Sequence, residues 1–223
     1  MTLRHTSVLF ALAIPSLGLA QISVFDAAYR IEADARSGVS FDTHAAFSNS
    51  VPLQNFSDQV NSFASQPPST VHSWASVFWN CTPTDLDVEL VACWDSFDFG
   101  AGNSGHMLSR LFLGISLAAV NIVSTTAAFD PPNSTMAIDI WSVNTWVQLV
   151  GPAQIVNYTG VWQPGDYRIR GQRLYNPVGD STGCAPFAFH LHAEPVPEPG
   201  SIVALSAGLA VLVRRRRSGL KGA

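Results

Sequence analysis

YRIEADAR, residues 29–36, alternates without a break: Tyr29, Ile31, Ala33 and Ala35 fall on one side, and Arg30, Glu32, Asp34 and Arg36 on the other. A two-residue period is that of an extended strand, whose successive side chains point to opposite faces. The stretch reads as a half-buried β-strand with a charged outer face. The pattern recurs where Leu86, Val88 and Leu90 alternate with Asp85, Asp87 and Glu89. It recurs again where Tyr167, Ile169 and Gly171 alternate with Arg168, Arg170 and Gln172, and where Phe187, Phe189 and Leu191 alternate with Ala188, His190 and His192. Turn formers separate the runs, among them QPPST at 66–70, GAGNSG at 100–105 and QPGD at 163–166, in which Pro164 presets φ and Gly165 tolerates a positive φ. Strands at this spacing predict a mainly β fold, an antiparallel β-sandwich or jelly roll over residues 21–194. Residues 107–123, MLSRLFLGISLAAVNIV, fit either a helix or two buried strands, and periodicity does not decide between them.

The two ends of the chain read differently from this body. Arg4 and His5 precede an apolar run that Pro15 breaks before Gly18, Leu19 and Ala20, the order of a signal peptide spanning residues 1–20 and cut between Ala20 and Gln21. At the other end Pro195, Pro197 and Pro199 make a stiff extended linker. An uncharged run then opens at Ile202 and closes at Val213, followed by Arg214, Arg215, Arg216 and Arg217 and a tail at 219–223. Twelve helical residues span only about 18 Å, short of a bilayer core of about 30 Å. Snorkelling arginines and local thinning narrow the gap, so residues 202–213 are expected to form a single transmembrane helix. The arginines would stay on the cytoplasmic side and the body outside, anchored at first in the inner membrane.

Charge and cysteines constrain the exported body further. Residues 21–194 hold 15 Asp or Glu against 6 Arg and no Lys, a formal charge of −9, which excludes nucleic acid as a partner because phosphate binding needs clustered cations. Cys81, Cys93 and Cys184 lie where disulfides persist. A Cys81–Cys93 bridge across a short strand-turn unit is the favoured pairing, with a pairing to Cys184 left open.

At the C-terminus a family resemblance enters. Val196-Pro197-Glu198-Pro199-Gly200-Ser201, a short apolar helix and an arginine cluster near the end resemble the PEP-CTERM protein-sorting signal of Gram-negative bacteria, here over residues 195–218. The resemblance implies that an exosortase, a membrane cysteine transpeptidase, recognises Pro197, Glu198 and Pro199 at the outer membrane boundary and cuts nearby. It also implies a protein of the cell envelope or extracellular matrix, associated with exopolysaccharide.

The body offers weaker candidates. His190 and His192 share one strand face at a spacing that suits metal ligation, but no third ligand stands out and no metal site is assigned. Asp95, Asp98 and the glycines after them could wrap a calcium ion, the one cofactor this sequence suggests. Gly102-Asn103-Ser104-Gly105, with His72 and Asp95 upstream, faintly resembles a serine-protease loop, yet 32 residues from His72 to Ser104 are too few for that scaffold. No catalytic residue is therefore expected, and a secreted hydrolase or a self-assembling envelope protein are the rival readings. Trp74, Trp79, Trp94, Trp141, Trp146 and Trp162 either fill the core or stack on sugars, and Arg168 and Arg170 suit an acidic glycan.

Overall fold

The computed structural model describes residues 21–49, 51–128 and 134–196. The signal peptide expected over residues 1–20, Pro197, Glu198 and Pro199, the apolar run from Ile202 to Val213, Arg214 to Arg217 and the tail lie outside the described residues. Twelve strands and no helix occur among the described residues. In chain order they are β1 (Ile22–Ser37), β2 (Ser40–Ser48), β3 (Asn55–Gln66), β4 (Ser69–Cys81), β5 (Asp85–Phe97) and β6 (Ser104–Leu117), then β7 (Asn121–Ala128), β8 (Ser134–Ser142), β9 (Thr145–Val150), β10 (Asn157–Trp162), β11 (Gly165–Tyr175) and β12 (Ser181–Pro195).

The strands form two six-stranded antiparallel sheets, β2-β1-β6-β11-β8-β9 and β10-β7-β12-β5-β4-β3. Hairpins join β1 to β2, β3 to β4 to β5, and β8 to β9; every other connection passes from one sheet to the other. The sheets face each other across one hydrophobic core. Ile31, Ala33, Leu113 and Ile169 line it from the first sheet, and Leu86, Leu90, Trp79 and Phe187 from the second, all 0% exposed. Buried serines tie the layers together: Ser73 Oγ donates to Asp34 O at 2.9 Å and Ser109 Oγ to Val91 O at 2.7 Å. Such bonds satisfy polar groups that would otherwise be costly inside.

Residues 107–123 resolve into β6, a short turn and the start of β7. Their alternation is blurred because two outward positions of β6 are covered. Outward-facing Leu108 is still only 7% exposed, and Gly114 is covered by the ring of Phe25, a residue pushed out by a bulge between Val24 and Asp26.

The Cys81–Cys93 pairing is wrong; the bond joins Cys93 to Cys184 and leaves Cys81 free. The β4–β5 register explains why. Cys81 stands opposite Leu86 and Cys93 opposite Trp74, so the two cysteines are seven positions apart along the hairpin and on opposite faces of the sheet. Cys184 on β12 stands directly opposite Cys93, with Cα atoms 4.2 Å apart. A disulfide needs Cα atoms within about 7 Å, which direct opposition on neighbouring strands provides.

The β8–β9 turn uses Val143 and Asn144, both with positive φ (48° and 62°). Two positive φ values give the turn a twist that suits a hairpin, but the region is hostile to a β-branched side chain. Val143 is 92% exposed, so no packing compensates. Val143→Asn should raise stability by about 1 kcal/mol in urea unfolding, because Asn enters this region readily.

Candidate functional site

Strand parity builds an arginine and aromatic groove on the outer face of the first sheet. The alternation that buries Ile31 sends Arg30 outward from β1; β6 sends out Arg110, and β11 sends out Arg168 and Arg170 on either side of buried Ile169. Register then aligns them. Arg30 stands opposite Arg110, Arg110 opposite Gln172, and Gln172 opposite Thr135. The next rung is Ala28, Phe112, Arg170 and Ala137, and the one after it Asp26, Gly114, Arg168 and Asp139. An open groove of about 580 Å³ lies over this surface, lined by Arg30, Arg110, Arg170, Gln172, Gln148 and Phe112 among others.

Asp139, 2% exposed, holds two of the arginines. Arg170 grips it with Nε on Oδ2 at 2.7 Å and Nη2 on Oδ1 at 2.9 Å, and Arg168 Nε donates to Oδ2 at 2.9 Å. Burial pushes the Asp139 carboxyl up, but the hydrogen bonds of Arg170 and Arg168 outweigh it and hold the group below the usual carboxylate range. A lowered pKa adds stability above the unfolded value near pH 4 and loses it as pH falls through the folded value. Asp139→Asn should therefore cost about 2 kcal/mol at pH 7, by stranding two guanidinium groups. The variant should also lose less stability than the parent between pH 4 and pH 2, which urea titrations at both ends would read.

Aromatic rings extend the surface. The Arg168 guanidinium lies 4.8 Å from the centroid of the Trp146 ring and 5.6 Å from that of Phe112, within cation–π range. Trp141 meets Trp146 edge to face at 5.1 Å and is 46% exposed. The six tryptophans thus divide: Trp79, Trp94 and Trp162 are buried, whereas Trp74, Trp141 and Trp146 reach the outer faces.

Arg110 was not singled out in the sequence because it sits in the ambiguous 107–123 run. It is exposed and donates to the neutral Gln172 Oε1 from Nε at 3.2 Å and Nη2 at 2.9 Å, with no ion-pair partner among the described residues. Its neighbour across the ladder is another cation, Arg30, which pairs along its own strand with Glu32. Like charges directly opposite destabilise a sheet, so the folded protein carries a small penalty here.

The other sequence candidates fall elsewhere. His72 stands opposite Asp95 in the second sheet, while Ser104 begins β6 of the first. Asn103 is a structural anchor, its Nδ2 donating to Thr70 O, Ser96 Oγ and Phe97 O at 2.8–3.0 Å. Asp98 accepts the backbone N–H groups of Gly100, Ala101, Gly102 and Asn103. Those bonds, Asn103's first, lower its pKa. Asp95 instead accepts from Thr182 Oγ1 at 2.7 Å. His190 and His192 face outward from β12, opposite Asp87 and Asp85.

The body ends where β12 ends: the Val196 N–H donates to Val120 O at 3.0 Å, one residue before Pro197. Residues 195–217 match the PEP-CTERM protein-sorting motif. The chain carries a PEP-CTERM signal. This signal supports exosortase-dependent sorting of a surface or secreted protein, and it implies export and processing by that membrane enzyme. Comparison with curated proteins and with solved structures found no match. Among the described residues no helix is long and apolar enough to cross a membrane, and residues 202–213 lie outside them.

Proposed function

We propose that the chain is an exported cell-surface or matrix protein whose body binds an acidic exopolysaccharide along the arginine groove and performs no catalysis. The leader would be cut between Ala20 and Gln21, residues 202–213 would anchor the precursor, and Arg214 to Arg217 would keep the C-terminus cytoplasmic. An exosortase would act through Pro197, Glu198 and Pro199.

The observation that carries the glycan reading is Arg110, an exposed cation beside Arg30 whose hydrogen bonds among the described residues go to a neutral amide. A guanidinium presents a flat fork that matches a carboxylate in two parallel hydrogen bonds, so a uronate would supply the missing anion. Trp146 and Trp141 lie along the same sheet, and an aromatic face suits the apolar face of a sugar ring.

Retention of the full chain, held in mild detergent, on polyuronate beads and on neutral dextran beads tests the reading. Retention should be confined to polyuronate and fall with salt. Arg110→Gln should weaken it about tenfold, the worth of one charge-assisted bond, while leaving stability unchanged or slightly raised. Equal retention on both matrices, or an Arg110→Gln chain that binds like the parent, would overturn it.

A further inference from the structure

We propose that Asp85, His190 and His192 form a binding site for a divalent transition-metal ion, of the zinc type, on the outer face of the second sheet. The histidine pair has the i, i+2 spacing of one strand face, and antiparallel pairing supplies what the sequence lacked: β5 sets Asp85 opposite His192 and Asp87 opposite His190. One ligand atom from each of Asp85, His190 and His192 lies within 4.8 Å of the other two.

The hydrogen bonds fit this use. His190 Nδ1 lies 2.7 Å from Asp87 Oδ1, an arrangement that places the ring proton on Nδ1 and leaves the Nε2 lone pair free. Carboxylates commonly orient metal-bound histidines in this way. His190 Nε2 in turn lies 3.6 Å from Asp85 Oδ1. Two ligand atoms bound at about 2.0–2.1 Å to one tetrahedral ion stand roughly 3.3 Å apart, so little closure is needed between them. His192 Nδ1 is bonded to Asp85 Oδ1 at 2.6 Å, and binding exchanges that hydrogen bond for the ion. Thr84 Oγ1 steadies the other carboxylate oxygen at 2.5 Å.

Charge points the same way. Arg30, Arg36, Arg110, Arg168, Arg170 and Arg173 all belong to strands of the first sheet. The strands of the second carry Asp58, Asp85, Asp87, Glu89, Asp95 and Glu194 with no Lys or Arg among the described residues. The row Asp85, Asp87 and Glu89 thus has no Lys or Arg beside it on its own sheet among the described residues, and the two imidazoles next to it supply nitrogen donors. Calcium and magnesium require more oxygens than converge here, whereas mixed imidazole and carboxylate donors favour zinc or copper. The three side chains keep 31–44% exposure, which leaves coordination positions open to water or to an external ligand. The ion would clip β12 to β5 near the point where the chain leaves the body, as the Cys93–Cys184 bond clips the same two strands at their other end.

The test uses the full chain in detergent without a histidine tag and with Cys81→Ser, which removes the free thiol as a competing ligand. Calorimetric titration with Zn²⁺ should show one saturable equivalent that Ca²⁺ does not displace. Asp87→Asn, which removes only the orienting carboxylate, should weaken it about tenfold, and His190→Gln with His192→Gln should abolish it. Co²⁺ added to the chain with its histidines intact should give the visible absorption of a low-coordinate nitrogen and oxygen site, a readout independent of any destabilised variant. No saturable Zn²⁺ uptake, no Co²⁺ band, or unchanged uptake by a folded double-histidine variant would each overturn the proposal.

Discussion

Cys184→Ala is expected to lower the unfolding free energy by about 4.6 kcal/mol, the chain-entropy value for a loop of this length. The bond joins positions 91 residues apart, and the loop it closes contains β6 to β11. The folded state changes little, since the β5–β12 ladder remains and the Cys184 side chain is exposed. The effect therefore comes mainly from releasing the unfolded chain. Cys81→Ser should change stability by less than about 1 kcal/mol, as suits a half-buried site with no disulfide to lose and a weak Sγ–H bond to Thr82 O that a serine hydroxyl can replace. Burial pushes the Cys81 thiol up to about 11, so it should also resist alkylation at neutral pH. Urea unfolding of the two variants reads both effects, and reductant should bring the parent down to the Cys184→Ala value.

The second large effect is expected at Glu198. Within the matched segment 195–217 it is the single acidic residue, flanked in sequence by Pro197 and Pro199, and so the side chain a processing enzyme can read by its negative charge. A site built to pair with a carboxylate rejects a substrate lacking it by orders of magnitude, because its own polar groups are left unpaired. Glu198→Ala should abolish processing and leave full-length precursor in the membrane fraction. Arg214 to Arg217 replaced together by glutamine should instead disturb orientation, a separate defect that protease protection distinguishes.

Much of this molecule is written in period-two alternation. The parity of YRIEADAR places Ile31, Ala33 and Ala35 in the core and Arg30 outside, and the runs at Leu86, Tyr167 and Phe187 behave likewise. Parity is harder to read in β6, where outward-facing Leu108 and Gly114 are covered and weaken the polar signal. The disulfide was missed for want of register: in a β4–β5 hairpin only residues such as Cys81 and Leu86, or Trp74 and Cys93, can be opposed. The groove and the histidine cluster were half legible. Arg168, Arg170, His190 and His192 announce themselves by spacing, but their partners Arg110, Asp139 and Asp85 come from strands whose adjacency only the fold supplies.

Intact-mass spectrometry of the protein recovered from the cell surface and medium tests the sorting account most directly. The account predicts a chain beginning near Gln21 and ending close to Pro199, without the apolar run and without Arg214 to Arg217. Recovery there of a chain that still carries residues 202–223, or recovery of the whole 223-residue chain as a soluble cytoplasmic species, would contradict it.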